Sequence, residues 1–249
     1  MKRILITGAS SGVGEAAAYA FAKAGARVLL VARTAEKLKQ IAAETGGFAA
    51  PCDASDPDAV ARMAVAVETQ HGTPDVVINA AGAGQWKTLQ DTSGPQAMAM
   101  MQAPYMSAFL TTKAFLPGML ARRSGVILHV NSPACVFPWK SSVGYAATRA
   151  ALRGFHMALA QDLVGTGVIS SHVIFGKISS PYFDNNPGSA EHMPKLDRLI
   201  PTLSPQDCAQ ILMGLAANPK YEVIHPFMLR AMLRGGALTP RLTRWIARQ

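Results

Sequence analysis

Cysteine is scarce in this chain, and its three cysteines, Cys52, Cys135 and Cys208, lie far apart in the sequence. An odd, scattered set of thiols argues against a disulfide framework or a zinc site built from clustered cysteines, and it is typical of a reducing cytosol. The six histidines show no metal-ligand spacing, so no metal site is predicted. No apolar run approaches the roughly 18 residues that a membrane-spanning helix needs, so no such helix is expected.

Charged residues are also few, at 16% of the 249 residues, whereas hydrophobic residues make up 49%. This composition argues against a disordered chain and indicates one large domain or two small ones with a substantial core. The apolar stretch at 4–6 is too short for a signal peptide and runs directly into Gly8. We therefore interpret it as a buried strand of a cytoplasmic protein.

The formal charge of +9 is concentrated in residues 220–249, which contain six basic side chains and one acidic one. A basic segment can bind nucleic acid, anionic lipid or an acidic partner. Because no motif that reads nucleic acid accompanies it, we expect no nucleic-acid partner. Its many apolar residues favour packing on the protein, with peripheral contact to the inner face of a membrane as the second interpretation.

Short aliphatic runs alternate with stretches of helical periodicity along the chain. The runs predict strands at 3–7, 27–32, 48–51, 75–79, 126–131, 168–175 and, more weakly, 221–224. The intervening stretches predict helices at 13–23, 36–44, 56–70, 96–121, 143–164 and 205–216, the second capped by the hydroxyl of Thr34. Continuously apolar strands are typical of a parallel sheet covered on both faces. We therefore predict a doubly wound, three-layer α/β/α domain at 1–220, with 221–249 as a basic helical extension packed on it.

A glycine-rich segment follows the first strand and opens the first helix. Its residues include Gly8, Ser10, Ser11, Gly12, Val13 and Gly14. Glycines let the backbone turn tightly and approach a pyrophosphate, which the free amides and the positive end of the helix then bind. Because strand, loop and helix occur together, the segment predicts a nucleotide-binding site.

The end of the second strand indicates which nucleotide is bound. A carboxylate there would bind a ribose 2′-hydroxyl and repel a 2′-phosphate. This chain has Ala32 followed by Arg33, whose guanidinium suits a phosphate. The sequence therefore favours NADP over NAD.

Four motifs in the right order resemble the short-chain dehydrogenase/reductase family over residues 3–180. They are Thr7-Gly8-x-x-x-Gly12-x-Gly14, then Asn79-Ala80-Ala81-Gly82, Ser132, and Tyr145 thirteen positions later. The resemblance implies a Rossmann-type domain that moves a hydride between a nicotinamide and a carbonyl or alcohol. It also implies that Asp53 contacts the adenine amino group and that Asn79, Ala80, Ala81 and Gly82 shape the cofactor groove.

The resemblance also assigns the chemistry of the site. Ser132 would hydrogen-bond the carbonyl oxygen, and Tyr145 would exchange a proton with it. A phenol does this near neutral pH only when a nearby cation stabilises its ionised form. The family places a lysine one helical turn after the tyrosine, and that lysine also holds the nicotinamide ribose. Here the position is Arg149, which keeps the charge but cannot pass a proton along a relay.

A second departure lies in the long predicted helix. The family carries an asparagine there that bends the helix and holds a water linked to the lysine, and the matching position is Pro104. Proline preserves a bend but cannot hold water through its side chain. Three readings stay open: an active reductase, a slow enzyme with a narrow substrate, or a protein that binds NADP without turnover. Ser132 and Tyr145 at the family spacing favour activity.

The resemblance also implies a last cofactor contact after the sixth strand, at Gly176, Ile178 and Ser180, where the Ser180 hydroxyl would contact the carboxamide. Phe175 stands where the family usually has proline. A substrate loop is expected at 181–203, with Pro181, Tyr182, Phe183, Met193, Leu196, Leu199 and Ile200 as apolar members. With Phe137, Pro138 and Trp139, this loop predicts a lipophilic ketone, aldehyde or secondary alcohol as substrate. The resemblance further implies self-association to a dimer or tetramer through the helices that carry Pro104 and Tyr145.

Overall fold

The aliphatic runs of the sequence lie side by side at the centre of the computed structural model. The structure describes residues 1–182, 184, 186, 189–192 and 200–238, with the backbone alone at 190 and 236–238. The strands are β1 (Arg3–Thr7), β2 (Arg27–Ala32), β3 (Phe48–Pro51), β4 (Val76–Asn79), β5 (Gly125–Asn131), β6 (Val168–Phe175) and β7 (Glu222–His225). They form one parallel sheet in the order β3-β2-β1-β4-β5-β6-β7. The order reverses between β1 and β4, which is where sheets of this kind bind ligands.

Helices cover both faces of the sheet. They are α1 (Gly12–Lys23), α2 (Ala35–Thr45), α3 (Pro57–His71), α4 (Gly94–Met101), α5 (Ser107–Ala121), α6 (Val143–Asp162), α7 (Pro205–Ala217) and α8 (Phe227–Leu238). One apolar core joins the sheet to α1, α2 and α7, and a second joins its other face to α3, α5 and α6. The predicted three-layer, doubly wound fold is therefore confirmed.

The long helix predicted at 96–121 is not continuous. A π-helical turn at Gln102–Met106 separates α4 from α5, and the buried Pro104 lies in the middle of it. Proline has no amide hydrogen to donate to the preceding turn, so the chain inserts one extra residue per turn there.

Some local expectations also differ from the structure. Thr34 is the N-cap of α2, but its side chain makes no capping hydrogen bond with the described residues. The last strand begins at Glu222 rather than at residue 221 and ends at His225. Within the described ranges, no helix is both long enough and apolar enough to cross a bilayer.

Candidate active site

A continuous cleft of about 1320 Å³ runs along the carboxyl ends of the strands. Its walls carry the predicted site residues Gly8, Ser10, Ser11, Gly12, Val13, Gly14, Arg33, Asp53, Ala80, Ala81, Gly82, Ser132, Tyr145, Arg149, Gly176, Ile178 and Ser180. Asn79 is not on these walls. It is buried behind them, where its Nδ2 donates to Thr112 Oγ1 at 3.1 Å and so ties β4 to α5.

The glycine-rich loop adopts a backbone that only glycine adopts easily. Gly8 and Gly12 have φ angles of +69° and +56°, which side chains with a Cβ rarely accept. A Cβ on Gly14 would lie 2.2 Å from the carbonyl oxygen of Gly8, so the loop and α1 touch through bare backbone. The Ser11 side chain does not cap α1, so the first-turn amides of this helix stay available for an anion.

Thr7, just before this loop, is hydrogen-bonded to the segment that follows β4. Its Oγ1 accepts hydrogen bonds from the amides of Ala80 and Ala81, both at 3.2 Å. A Cβ on Gly8 would lie 2.9 Å from the backbone of both residues. The glycine-rich loop and the segment that follows β4 are therefore in direct backbone contact.

Two cations line the end of the cleft beside β2, namely Arg33 and Lys37. Lys37 is ion-paired with Glu15 at 3.0 Å. Asp53 lies at the same end, where hydrogen bonds from the hydroxyl and amide of Ser55, and more weakly the charge of Arg33, hold the pKa of its carboxyl below the ordinary value. This end of the cleft therefore combines positive charge with one fixed carboxylate.

Ser132 and Tyr145 come from different elements and line the same cleft. Ser132 follows β5 and starts a short 3₁₀ turn at Pro133–Cys135, whose Ala134 amide donates to its Oγ at 3.4 Å. Tyr145 lies in the first turn of α6 and is only 5% exposed.

Arg149 lies one turn after Tyr145 and is buried beside it. The guanidinium carbon is 4.9 Å from the centre of the Tyr145 ring, within the range of a cation–π interaction. Its Nη1 donates to the carbonyl oxygen of Val130 at 3.5 Å, and a Cβ on Gly82 would lie 2.8 Å from Nη2. Its Nε has no hydrogen-bond partner among the described residues, although it is buried.

Aromatic side chains cover Tyr145. The Tyr145 ring lies 5.7 Å from Trp86, 6.1 Å from Trp139 and 6.2 Å from Tyr182, measured between ring centres. Gly84 makes this packing possible, because a Cβ there would lie 2.7 Å from the Tyr145 ring. The Tyr182 hydroxyl donates to the Gly84 carbonyl oxygen at 2.8 Å, and burial raises the pKa of the Tyr182 phenol.

Part of the predicted substrate loop is hydrogen-bonded across the cleft. The Gly84 amide donates to Asn186 Oδ1 at 3.3 Å, and the Trp86 amide donates to Ser189 Oγ at 3.1 Å. Phe137, Trp139, Pro181, Tyr182 and Ile200 line the cleft. Pro138 is not among the lining residues, and Phe183, Met193, Leu196 and Leu199 lie outside the described residues.

Helix α8 forms part of the wall of the cleft. Met228, Leu229, Met232 and Leu233 all line the cleft from it. Leu229 and Leu233 are also packed with Ile174 and Ile224 of the sheet in one apolar cluster. The rest of the basic segment, with Arg241, Arg244 and Arg248, lies outside the described residues.

Several lining residues are not predictable from the motifs. Lys37 lies in α2, but Arg33 precedes the N-cap of that helix, so helical spacing does not relate the two residues. Trp86 and the methionines of α8 gave no signal either, because their positions on the cleft wall depend on how a loop and the last described helix pack.

Three structural observations indicate that the cleft could hold a dinucleotide. Its loop has room only for glycine at the point of closest backbone approach, the first turn of α1 is not capped by Ser11, and two cations lie at the β2 end. The unpartnered Nε of buried Arg149 offers a further donor near Tyr145. Within the described ranges, no group of three or more His, Cys, Asp or Glu side chains could hold a metal ion.

Comparison with known proteins agrees with this geometry. The sequence pattern of a family described as short chain dehydrogenase matches residues 2–189. A short chain dehydrogenase of Pseudocercospora fijiensis is 32% identical over 242 residues, which cover 90% of this chain and 78% of that protein. A short-chain dehydrogenase from Streptomyces avermitilis has a TM-score of 0.84 at 26% identity, over 98% of this chain and 96% of the other. An alcohol dehydrogenase from Thermococcus sibiricus, complexed with 5-hydroxy-NADP, has a TM-score of 0.79 at 27% identity, over 90% and 95%.

Proposed function

Because the chain belongs to the short-chain dehydrogenase family, we propose that it is an NADP-dependent oxidoreductase for a lipophilic ketone, aldehyde or secondary alcohol. The observation that carries the proposal is the shared cleft: Ser132, Tyr145 and Arg149 line the same space as the glycine-rich loop. The competing reading, an NADP-binding protein without turnover, is not favoured by the oxidoreductase relatives.

The preference for NADP is supported by charge. Arg33 and Lys37 line the β2 end of the cleft, where the ribose 2′-phosphate would bind. Ala32 leaves no carboxylate at the end of β2 to repel that phosphate. The similar alcohol dehydrogenase from Thermococcus sibiricus also carries an NADP derivative.

The chemistry of the proposal requires a proton as well as a hydride. Bound NADP would supply or accept the hydride. The Ser132 hydroxyl would donate a hydrogen bond to the carbonyl oxygen, and the Tyr145 hydroxyl would transfer a proton to that oxygen during reduction. The nearby guanidinium of Arg149 would stabilise negative charge that develops on the phenol.

The substrate class is supported by the walls beside Tyr145. The aromatic rings of Trp86, Trp139 and Tyr182 lie around Tyr145, and methionines and leucines of α8 line the same cleft. Such walls bind apolar groups and leave the hydroxyls of a sugar without partners. We expect turnover to increase from short to long alkyl carbonyls.

Self-association is part of the proposal and rests on the family resemblance. It is supported by apolar side chains on α6 that are exposed in the single chain, such as Val143 and Met157 at 49% and 43%. Light scattering on the purified protein would measure the number of subunits.

The test of the cofactor assignment compares NADPH with NADH. Arg33→Ala removes a cation that would contact only the 2′-phosphate, so we expect the KM for NADPH to rise about 10- to 100-fold. The KM for NADH should stay within about 3-fold, because that cofactor lacks the phosphate. Lys39→Ala, which removes an exposed charge on α2 that pairs with Glu36, is the matched control. Equal losses for the two cofactors in Arg33→Ala would contradict the assignment.

The test of turnover uses NADPH and a series of aldehydes and ketones of increasing chain length. Tyr145→Phe removes only the hydroxyl, and we expect kcat to fall by about 100-fold or more. Tight NADPH binding without turnover of any carbonyl would instead support the non-catalytic reading.

A further inference from the structure

A closed ring of polar contacts joins helix α6 to three strands behind the catalytic side chains. Its members are Asn131 on β5, His172 on β6, Glu222 on β7, and Arg153 with the Arg149 carbonyl on α6. Asn131 and His172 are 4% and 0% exposed, so the ring is buried where it passes nearest to the cleft. No part of the proposed reaction uses its side chains.

Each link of the ring is at hydrogen-bond distance. Asn131 Nδ2 lies 3.0 Å from the Arg149 carbonyl oxygen and 2.9 Å from His172 Nε2. His172 Nδ1 lies 3.1 Å from Glu222 Oε2, which also accepts from Arg153 Nε at 3.0 Å. Because Arg149 and Arg153 are one turn apart on α6, the chain of contacts returns to the helix where it began.

The sheet register brings these residues together. His172 on β6 is paired with Glu222 on β7, so their side chains point to the same face. Asn131 is paired with Ile174, two positions after His172, and therefore also shares that face. The same face is the one that α6 covers.

Backbone groups fix the direction of every hydrogen bond in the ring. Asn131 Oδ1 accepts from the Ser132 amide at 2.9 Å, so its Nδ2 faces the Arg149 carbonyl and His172. Nδ2 can only donate, so His172 Nε2 must accept, and the ring proton of His172 must lie on Nδ1. That proton is donated to Glu222, and this bond, more than the bond from Arg153, lowers the pKa of the Glu222 carboxyl to about 2 against the opposing effect of burial.

We infer that Asn131 is a positioning residue that holds Ser132 in register with Tyr145, and that His172 orients Asn131 for this role. The inference rests on the proposed function. One Asn131 amide contacts both the backbone of Ser132 and the turn of α6 that follows Tyr145, so its orientation sets the distance between the two reacting hydroxyls. Glu222 and Arg153 hold His172 in the tautomer that Asn131 needs.

Two substitutions of His172 distinguish the hydrogen bond made by its Nε2 from the one made by its Nδ1. In His172→Gln the side-chain oxygen can reach the position of Nε2 and still accept from Asn131. In His172→Asn the side-chain amide occupies the position of Nδ1, so it can still donate to Glu222 but leaves Asn131 without its acceptor. Both variants remove the imidazole and its packing, so a merely structural role would affect them alike.

We expect His172→Asn to lower kcat about 10- to 100-fold, as misplacement of reacting groups does, with the carbonyl KM within about 3-fold of wild type. His172→Gln should keep kcat within about 3-fold of wild type. Amide hydrogen exchange at Ser132 gives a second readout that needs no substrate. It should be about 10-fold faster in His172→Asn than in His172→Gln, because only the first loosens Asn131.

The matched control is the same pair of substitutions at His156. This residue stacks on His172 with ring centres 5.2 Å apart, but its Nδ1 faces Ser170 Oγ at 2.8 Å rather than Asn131. The two His156 variants should not differ from each other in kcat or in the rate of amide exchange at Ser132. Equal effects of the two His172 variants in both readouts would overturn the inference. If wild type turns over no carbonyl, the proposed function fails, and Ser132 exchange alone decides the inference.

Discussion

The guanidinium of Arg149 lies beside the face of the Tyr145 ring, with its carbon 4.9 Å from the ring centre. A lysine at this position would present a compact charge, whereas the planar arginine spreads its charge over the aromatic face. An arginine also stays protonated, so any proton that reaches Tyr145 must come by a route that does not pass through this side chain.

This geometry predicts that the charge of Arg149 matters more than its shape. Arg149→Met removes the guanidinium that, in the proposed reaction, would stabilise negative charge developing on the Tyr145 oxygen, and we expect kcat to fall about 100-fold. Arg149→Lys keeps the charge and should lose less than about 10-fold. Steady-state NADPH oxidation with the best carbonyl substrate measures both.

Arg149 Nη2 packs closely against Gly82, so both substitutions of Arg149 also remove a packing contact. Thermal unfolding of both variants is therefore needed as a control for packing. Equal kcat values for the lysine and methionine variants, at equal stability, would show that the cation has no part in the chemistry.

The proposed catalytic positions can be named from the sequence because their motifs depend on short-range spacing. Tyr145 and Arg149 are four positions apart on one helix, which places both on one face wherever the helix lies. Trp86 and Met232 could not be predicted in this way. Their contact with the site depends on long-range packing that leaves no periodic trace in the sequence.

At the scale of elements, the first turn of α1 depends on the absence of side chains. A Cβ on Gly14 would lie 2.2 Å from the Gly8 carbonyl oxygen, which is backbone and cannot rotate away. By contrast, a Cβ on Gly154 in α6 meets no heavy atom within 4 Å. Both glycines lie in helices, but only Gly14 lacks space for a Cβ.

Alanine substitution at these two positions should therefore have opposite effects. Gly14→Ala should lower the free energy of unfolding by about 1–3 kcal/mol because of overpacking, and it should abolish NADPH binding by distorting the loop. Gly154→Ala should raise the free energy of unfolding by about 1 kcal/mol, because alanine is the better helix former. Chemical denaturation and NADPH fluorescence titration measure both effects, and normal NADPH binding in Gly14→Ala would contradict the role of the loop.

The strands and helices are predictable because each has its own hydrophobic period. β1, β2, β3 and β6 have the predicted bounds, since continuous aliphatic runs end at glycine or polar residues. The π-helical turn at Gln102–Met106 is not predictable from period alone, because Pro104 permits either a kink or an inserted residue.

At the scale of the whole molecule, the second core contains histidines as well as aliphatic side chains. His129 of β5 and His156 of α6 are fully buried. Burial is the main reason that the pKa of His129 is well below 6.5 and that of His156 is lowered to about 4. Both are therefore neutral in the folded protein at pH values where the unfolded chain takes up protons.

The stability of the whole molecule should therefore fall as the pH falls. Between about pH 6.5 and 4 the unfolded chain binds protons that the folded chain does not, so the free energy of unfolding decreases. At pH 5 His129 and His156 should each cost about 2 kcal/mol of stability relative to pH 8. Urea denaturation at pH 5, 6, 7 and 8 measures this slope.

His156→Asn removes one of the buried histidines and should make the slope shallower by that residue's contribution, about 2 kcal/mol between pH 8 and pH 5. Asn is chosen because its amide can occupy the position of His156 Nδ1 and still pair with Ser170 Oγ. If wild type and His156→Asn lose the same free energy between pH 8 and pH 5, buried imidazole does not govern the acid sensitivity.

Helix α8 lies after every strand of the sheet in the chain, yet it contributes apolar side chains to the wall of the cleft. The glycine-rich loop, Ser132 and Tyr145 all come from the first 145 residues. A recombination event that exchanged only the segment after β7 would therefore give the protein a new pocket wall without altering the cofactor groove. New substrates can in this way be acquired in evolution by swapping one contiguous stretch of the gene.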